Sequence, residues 1–280
     1  MRFGLFGVNM DAWLDPSAAE RLAGLAEAAG FDSLWAGEHV VLPSPRPQAS
    51  PMDPDDPILD PLVALTYLAA CTTRVRLVTG IVILPQRNPL VLAKQVASLD
   101  VLSGGRFALG VGVGYLEPEM SAVGVPMAER GARTDEYLAA MRAIWEMDAP
   151  AFQGRFASFS DVDAHPRPVQ RPLPIVTGGH SAAAYDRTAR DADGWHGFNQ
   201  SPQATRASIV AITGALTRSE RRPGLPPTVE ISVTPASLPT PDEVAAYAEA
   251  GVDRLVLYPP RHLDEVETSL YIEGAAGLMA

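Results

Sequence analysis

Residues 76–114 read RLVTGIVILPQRNPLVLAKQVASLDVLSGGRFALGVGVG, and they set the architecture. Arg76–Leu84 is rich in Val, Ile and Leu, as a buried strand is. Pro89–Leu102 follows as a helix. Proline opens it, because its fixed φ suits a first helical turn, and Ser103-Gly104-Gly105 stops it. Phe107–Gly114 is a second apolar strand. Two strands joined by a helical crossover run parallel.

The same rhythm extends both ways. Upstream, Arg2–Val8 reads as a strand. Pro16–Ala29 is a helix with Leu22, Leu25, Ala26 and Ala29 at helical spacing, closed by Gly30. Ser33–His39 is the second strand and Pro61–Thr72 the second helix. Downstream, a helical region is clearest over Arg130–Met147. Strand Pro174–Gly179 then precedes helix Ser181–Ala192, strand Gly194–Phe198 precedes helix Pro202–Thr217, and strand Thr228–Thr234 precedes helix Thr240–Ala250. Strand Arg254–Tyr258 and a final helix near Leu263–Leu278 complete eight strand–helix units. Eight units favour a closed (β/α)8 TIM barrel over an open doubly wound sheet. A chain of 280 residues with 47% hydrophobic content suits one such domain, 1–280. Two segments break the rhythm. Residues 40–60 are dense in Pro and Asp and follow the second strand, where a mobile lid and a stiff connector are both open readings. Residues 151–174 contain AFQGRFASF, whose alternating aromatics around Gln-Gly predict a small hairpin inserted before the fifth strand.

Composition excludes several function classes. A net charge of −11, with Lys94 the only lysine, argues against a nucleic-acid surface. Cys71 stands alone, so no intramolecular disulfide or cysteine metal cluster forms, and a small buried hydrophobe is the expected role. MRFGLFGV reads as a strand rather than a signal peptide, and no apolar run approaches ~20 residues. A cytoplasmic protein with no membrane contact is expected. The Ala, Gly and Pro content suggests a GC-rich bacterial genome.

In a (β/α)8 barrel the site is built at strand C-termini. The second strand ends in Glu38-His39, a carboxylate beside an imidazole, which suits proton transfer. Adjacent strand residues point to opposite sides, so one of the two faces the mouth. The third ends in Thr79-Gly80-Ile81, where a glycine within an apolar strand signals a bulge or close packing. Packing is the preferred reading of those residues taken alone. The fourth ends in GVGVGY, with Tyr115 where a dinucleotide fingerprint has its last glycine. No acidic residue follows at a ribose position, so a Rossmann site is rejected. Gly112 and its neighbours then leave room for a flat ligand, with Tyr115 beside it. Glu119 reads as a first-turn acid favoured by the helix dipole. The fifth ends in Gly178-Gly179-His180-Ser181 before a helix, which is either an anion site or a plain N-cap. The five histidines lack zinc-ligand spacing, so no metal is expected, and no G-x-S-x-G elbow is present.

Four segments carry a family resemblance: SLWAGEH (33–39), residues 77–126, AERGARTDEYLAAMRAIW (128–145) and PIVTGGHSAAAYDRTARDADGWH (174–196). In this order they resemble the luciferase-like monooxygenase superfamily, and most of all its actinobacterial coenzyme F-420-dependent oxidoreductases. The resemblance implies a deazaflavin or flavin at the barrel mouth: coenzyme F-420, alternatively FMN. It implies a non-prolyl cis peptide at Gly80-Ile81 against the ring, and a phosphate at Gly178, Gly179, His180 and Ser181. His39 and Glu38 would lie near the reactive carbon, with Tyr115 assisting. Some sugar-phosphate-oxidising relatives have a glutamate where Tyr115 stands, which weakens that substrate. The resulting expectation is hydride transfer to or from a small-molecule substrate by a homodimer. With FMN it becomes oxygen-dependent monooxygenation served by a separate reductase. A non-catalytic flavin-binding barrel is the reading from another class. Arg46, Arg87 and Arg187 are candidates to meet an acidic deazaflavin tail.

Overall fold

The computed structural model describes residues 1–279. Its strands, in chain order, are β1 (Arg2–Phe6), β2 (Ser33–Ala36), β3 (Arg76–Thr79), β4 (Val82–Ile83), β5 (Phe107–Gly112), β6 (Phe152–Gln153), β7 (Ser158–Phe159), β8 (Ile175–Gly178), β9 (Gly194–Phe198), β10 (Glu230–Thr234) and β11 (Arg254–Leu257). Its helices are α1 (Pro16–Ala28), α2 (Pro61–Cys71), α3 (Pro89–Leu102), α4 (Glu117–Ala122), α5 (Arg130–Glu146), α6 (Ala182–Asp191), α7 (Pro202–Arg218), α8 (Pro241–Ala250) and α9 (Glu265–Ala276).

The strands close a parallel barrel. β1 pairs with β2 and β11, and the ladder runs on through β3, β5, β8, β9 and β10 back to β11. Helices lie between successive strands, and most of the apolar core sits between them and the outer barrel face. A second apolar cluster fills the lumen: Phe6, Trp35, Val78, Ala108, Val176 and Val256, with Tyr258 against it. At the strand starts, Arg254 bridges Asp32 (2.7 Å) and Glu230, tying three strands together. Gly30 closes α1 at φ +96°, the left-handed conformation expected of a C′ glycine.

The structure departs from the sequence reading in several places. The strand expected over Ser33–His39 stops at Ala36, so Glu38 and His39 lie beyond it and strand alternation does not govern them. The strand expected over Arg76–Leu84 is two short strands, β3 and β4, separated by a cis peptide at Gly80-Ile81. β5 stops at Gly112, because Gly114 turns the chain at φ +80°. The helical region after it is broken into α4 and α5, with Gly124 at φ +74° between them. Cys71 is half-buried rather than enclosed.

The inserted hairpin is present as β6 and β7, paired antiparallel through Phe152 and Phe159. Glu136 on α5 holds its tip, accepting the N–H groups of Arg155 (3.0 Å), Phe156 (2.5 Å) and Ala157 (2.7 Å). Residues 40–60 pack back onto the segment after β1. Asn9 donates to Gly37 O (2.9 Å) and Leu59 O (2.7 Å), Met10 bridges Ile58, and Ser50 and Met52 are buried.

Candidate active site at the carboxyl ends of the strands

The interruption of the third strand organises the mouth. The β3–β5 ladder stops at Val78–Ala108 and resumes with β4 at Val82–Val111. In the gap the Thr79 hydroxyl takes over both ladder functions. It accepts the Gly110 N–H and donates to the Gly110 carbonyl, each at 2.8 Å. Thr79 is fully buried, so its side chain stitches strands and does not face the mouth. Ile81 is thereby turned inward across β5 and β8. A Cβ on Gly112 would lie 2.1 Å from Ile81 Cδ1, and one on Gly178 would lie 3.3 Å from Ile81 Cγ2. A Cβ on Gly110 would lie 1.8 Å from the Thr79 carbonyl oxygen. These glycines therefore make room first for the bulge itself, and leave a flat apolar floor topped by the half-buried Ile81.

Glu38 and His39 diverge. Glu38 turns into the protein, where it is 6% exposed. It accepts the Ile83 N–H (2.5 Å) and the Nε of Arg87 (2.7 Å), and Arg87 also reaches Asp60. Burial pushes the Glu38 carboxyl up, with Arg87 and the Ile83 N–H pulling against it. Burial also works against the Arg87 charge, but Glu38 and Asp60 outweigh it and hold the guanidinium above its ordinary range. Glu38 thus clamps the strand after the bulge, and its carboxylate is occupied.

His39 faces the other way. Its Nδ1 lies 2.9 Å from Glu119 Oε2, while Glu119 Oε1 accepts the Val40 N–H at 2.8 Å. Tyr115 stands edge-on to the imidazole, with ring centroids 6.2 Å apart and planes at 84°. Burial, and secondarily Glu119, push the Tyr115 phenol up. His39, Tyr115 and Glu119 therefore come together, whereas Glu38 leaves the group. The dipole reading of Glu119 missed this contact, since no local pattern marks residues 80 positions apart as neighbours.

At the end of β8, Gly179 adopts φ +109° and Ser181 caps α6, accepting the Ala184 N–H at 3.2 Å. His180 is exposed at its rim but packs edge-on to Trp195 at 5.9 Å, and the partial loss of water around the ring lowers its pKa. The opposite half of the mouth is aromatic. Phe6, Phe198 and Tyr258 pack with centroids 5.0–6.0 Å apart, and Phe198 is 42% exposed. Beneath them His196 is buried, contacts Thr234 Oγ1 at 2.9 Å, and is driven down to about 3 by burial. A count of two from His196 along β9 and from Val256 past the end of β11 would have marked Phe198 and Tyr258. None of the three arginines considered for an acidic tail is free. Arg46 pairs with Asp53 (2.9 Å), Arg87 with Glu38 and Asp60, and Arg187 with Asp135 (2.7 Å).

The chain as a whole has counterparts among known proteins. The family described as luciferase-like monooxygenase matches residues 1–276. This chain belongs to that family. An uncharacterised protein of Mycobacterium tuberculosis is 34% identical to this luciferase-like chain, over 100% of it and 99% of the relative. The FMNH(2)-dependent dimethylsulfone monooxygenase of Pseudomonas putida is 35% identical over 149 residues, which are 52% of this chain and 41% of that one. Among solved structures, an F-420-dependent secondary alcohol dehydrogenase in complex with an F-420–acetone adduct superposes with a TM-score of 0.79 over 98% of each chain. At 17% identity that likeness is one of fold. The proteins this chain is similar to thus include an FMNH(2)-dependent monooxygenase and, in fold, an F-420-dependent dehydrogenase. Among the described residues no helix is long and apolar enough to cross a membrane.

Proposed function

We propose that this luciferase-like chain is an oxidoreductase that uses coenzyme F-420 to transfer hydride to or from a small organic substrate, with His39 as the proton donor or acceptor. The observation that carries this reading is the His39–Glu119 contact at the rim of a flat, apolar floor made by Ile81 over Gly112 and Gly178. A planar ring fits such a floor, because no side chain rises from the glycines to obstruct it. Gly80 and Ile81 would lie under the ring, and the turn from Gly178 to Ser181 would meet a phosphate with the free N–H groups that open α6. When bound, the deazaflavin supplies a two-electron hydride carrier. The protein's own share is to orient the ring, exclude water with Phe6, Phe198 and Tyr258, and exchange a proton at His39.

A second reading is FMN-dependent monooxygenation with flavin reduced by a separate enzyme. Two observations favour it: the segment shared with the dimethylsulfone monooxygenase, and the engagement of Arg46, Arg87 and Arg187 by carboxylates, which leaves those three unavailable to an acidic tail. Titrating the purified protein in parallel with coenzyme F-420 and with FMN, followed by ligand fluorescence, tests both. Tight binding of the deazaflavin supports the first, and tight binding of FMN alone overturns it in favour of the second. Binding of neither removes the cofactor reading of Ile81, His39 and Ser181. Binding without any turnover supports a non-catalytic barrel.

A further inference from the structure

The geometry points to Glu119 as a positioning residue that holds His39 in the Nδ1–H tautomer, leaving Nε2 as the proton-accepting nitrogen. Glu119 is 1% exposed, so solvent does not compete for its oxygens. Its Oε1 faces the Val40 N–H, a group that can only donate, at 2.8 Å. Its Oε2 faces His39 Nδ1 at 2.9 Å. With both Glu119 oxygens acting as acceptors, the Nδ1 position carries the hydrogen. The neutral imidazole then has its lone pair at Nε2, which has no partner among the described residues. This is the relation by which a carboxylate selects the tautomer of a general base.

The carboxylate is well anchored for this purpose. Met120, the next residue on α4, is fully buried and packs with Ile83 and Val125. Gln86 Nε2 lies 3.4 Å from Met120 Sδ, which fastens α4 to the segment after β4. Glu38 fixes the same segment from the other side through the Ile83 N–H. The neighbouring residues Glu38 and His39 are therefore held against the two sides of one packed unit, and the imidazole direction follows from it.

Glu119→Gln makes the assignment testable, because an amide has one acceptor and one donor end. If its oxygen satisfies the Val40 N–H, its NH2 faces Nδ1, and His39 must place its hydrogen on Nε2. If it satisfies Nδ1–H instead, two N–H groups oppose each other at Val40. Glu119→Asp keeps two acceptors and serves as the conservative rescue. The significance for turnover rests on the proposed function, but the tautomer does not.

The experiment is a long-range 1H–15N spectrum of histidine-labelled protein at alkaline pH, with His39 identified by its absence in His39→Asn. The expected result is a protonated Nδ1 and an unprotonated Nε2 in the wild type and in Glu119→Asp, with the pattern reversed or averaged in Glu119→Gln. A wild-type His39 protonated on Nε2 overturns the assignment without any variant, as does an unchanged pattern in a folded Glu119→Gln. In the cofactor-dependent assay, kcat of Glu119→Gln is expected to fall about 10²–10⁴-fold with little change in KM. Failure of cofactor binding alone would overturn the proposed function and leave the spectroscopic result standing.

Discussion

Replacing Thr79 by valine keeps shape and volume but removes the hydroxyl that bridges the broken ladder. In the native chain this hydroxyl accepts the Gly110 N–H and donates to the Gly110 carbonyl at 2.8 Å, at a fully buried position. Valine leaves both backbone groups unpaired away from water. At about 2 kcal/mol for each unsatisfied buried group, the cost is about 4 kcal/mol. At about 2–4 °C per kcal/mol for a chain of this size, the melting temperature should drop by about 8–16 °C. Thr79→Ser is the control: it keeps the hydroxyl and deletes one buried methyl, for about 1 kcal/mol and about 2–4 °C. Paired thermal scans of the three proteins at one heating rate read the difference. Cofactor titrations should show weaker binding for the valine variant, since the hydroxyl sits at the base of the Gly80-Ile81 bulge. A valine variant as stable as the serine variant would refute the reasoning, because volume rather than hydrogen bonding would then govern the site.

Other expectations follow from particular contacts. His39→Ala should bind the cofactor normally while turnover falls about 10²–10⁴-fold, as read by the fluorescence titration and steady-state rates together. Gly110→Ala should give no soluble protein, because its Cβ would meet a backbone oxygen at 1.8 Å. Gly112→Ala should fold with weakened cofactor binding, because its Cβ meets only the mobile end of Ile81. Soluble yield and titration separate the two. His196 is held at about 3 against an ordinary value of 6.5. The unfolded chain therefore takes up a proton that the folded chain refuses as pH falls from 6.5 toward 3. The stability associated with the neutral ring is complete above 6.5 and is lost at about 1.4 kcal/mol per pH unit below it. His196→Asn should flatten that slope in denaturant melts across this window, and an unchanged slope would remove His196 as its source.

The alternation of apolar strands with capped amphipathic helices was sufficient to read a parallel barrel from the chain, because each unit is specified by neighbours in sequence. Pro89 opening α3, Gly30 closing α1 and the Phe152–Phe159 hairpin all carry local signatures. At Gly80 a glycine inside an apolar run signals either a bulge or tight packing, and the residues alone favour packing, so the break in the strand is not decided locally. Nor are the roles within the mouth. Glu38 and His39 are adjacent and chemically suggestive, yet one is drawn inward by Arg87 and the Ile83 N–H while the other meets Glu119 from a different helix. Gly112 looked like space for a ligand, but its missing side chain is first filled by Ile81. Arg46, Arg87 and Arg187 looked like free cations until folding placed a carboxylate beside each. A hydrogen bond or ion pair is a property of two groups, and the partners here lie up to 80 positions apart. Which side chains are satisfied within the protein, and which remain free for chemistry, is therefore settled only when barrel closure brings the strand ends together.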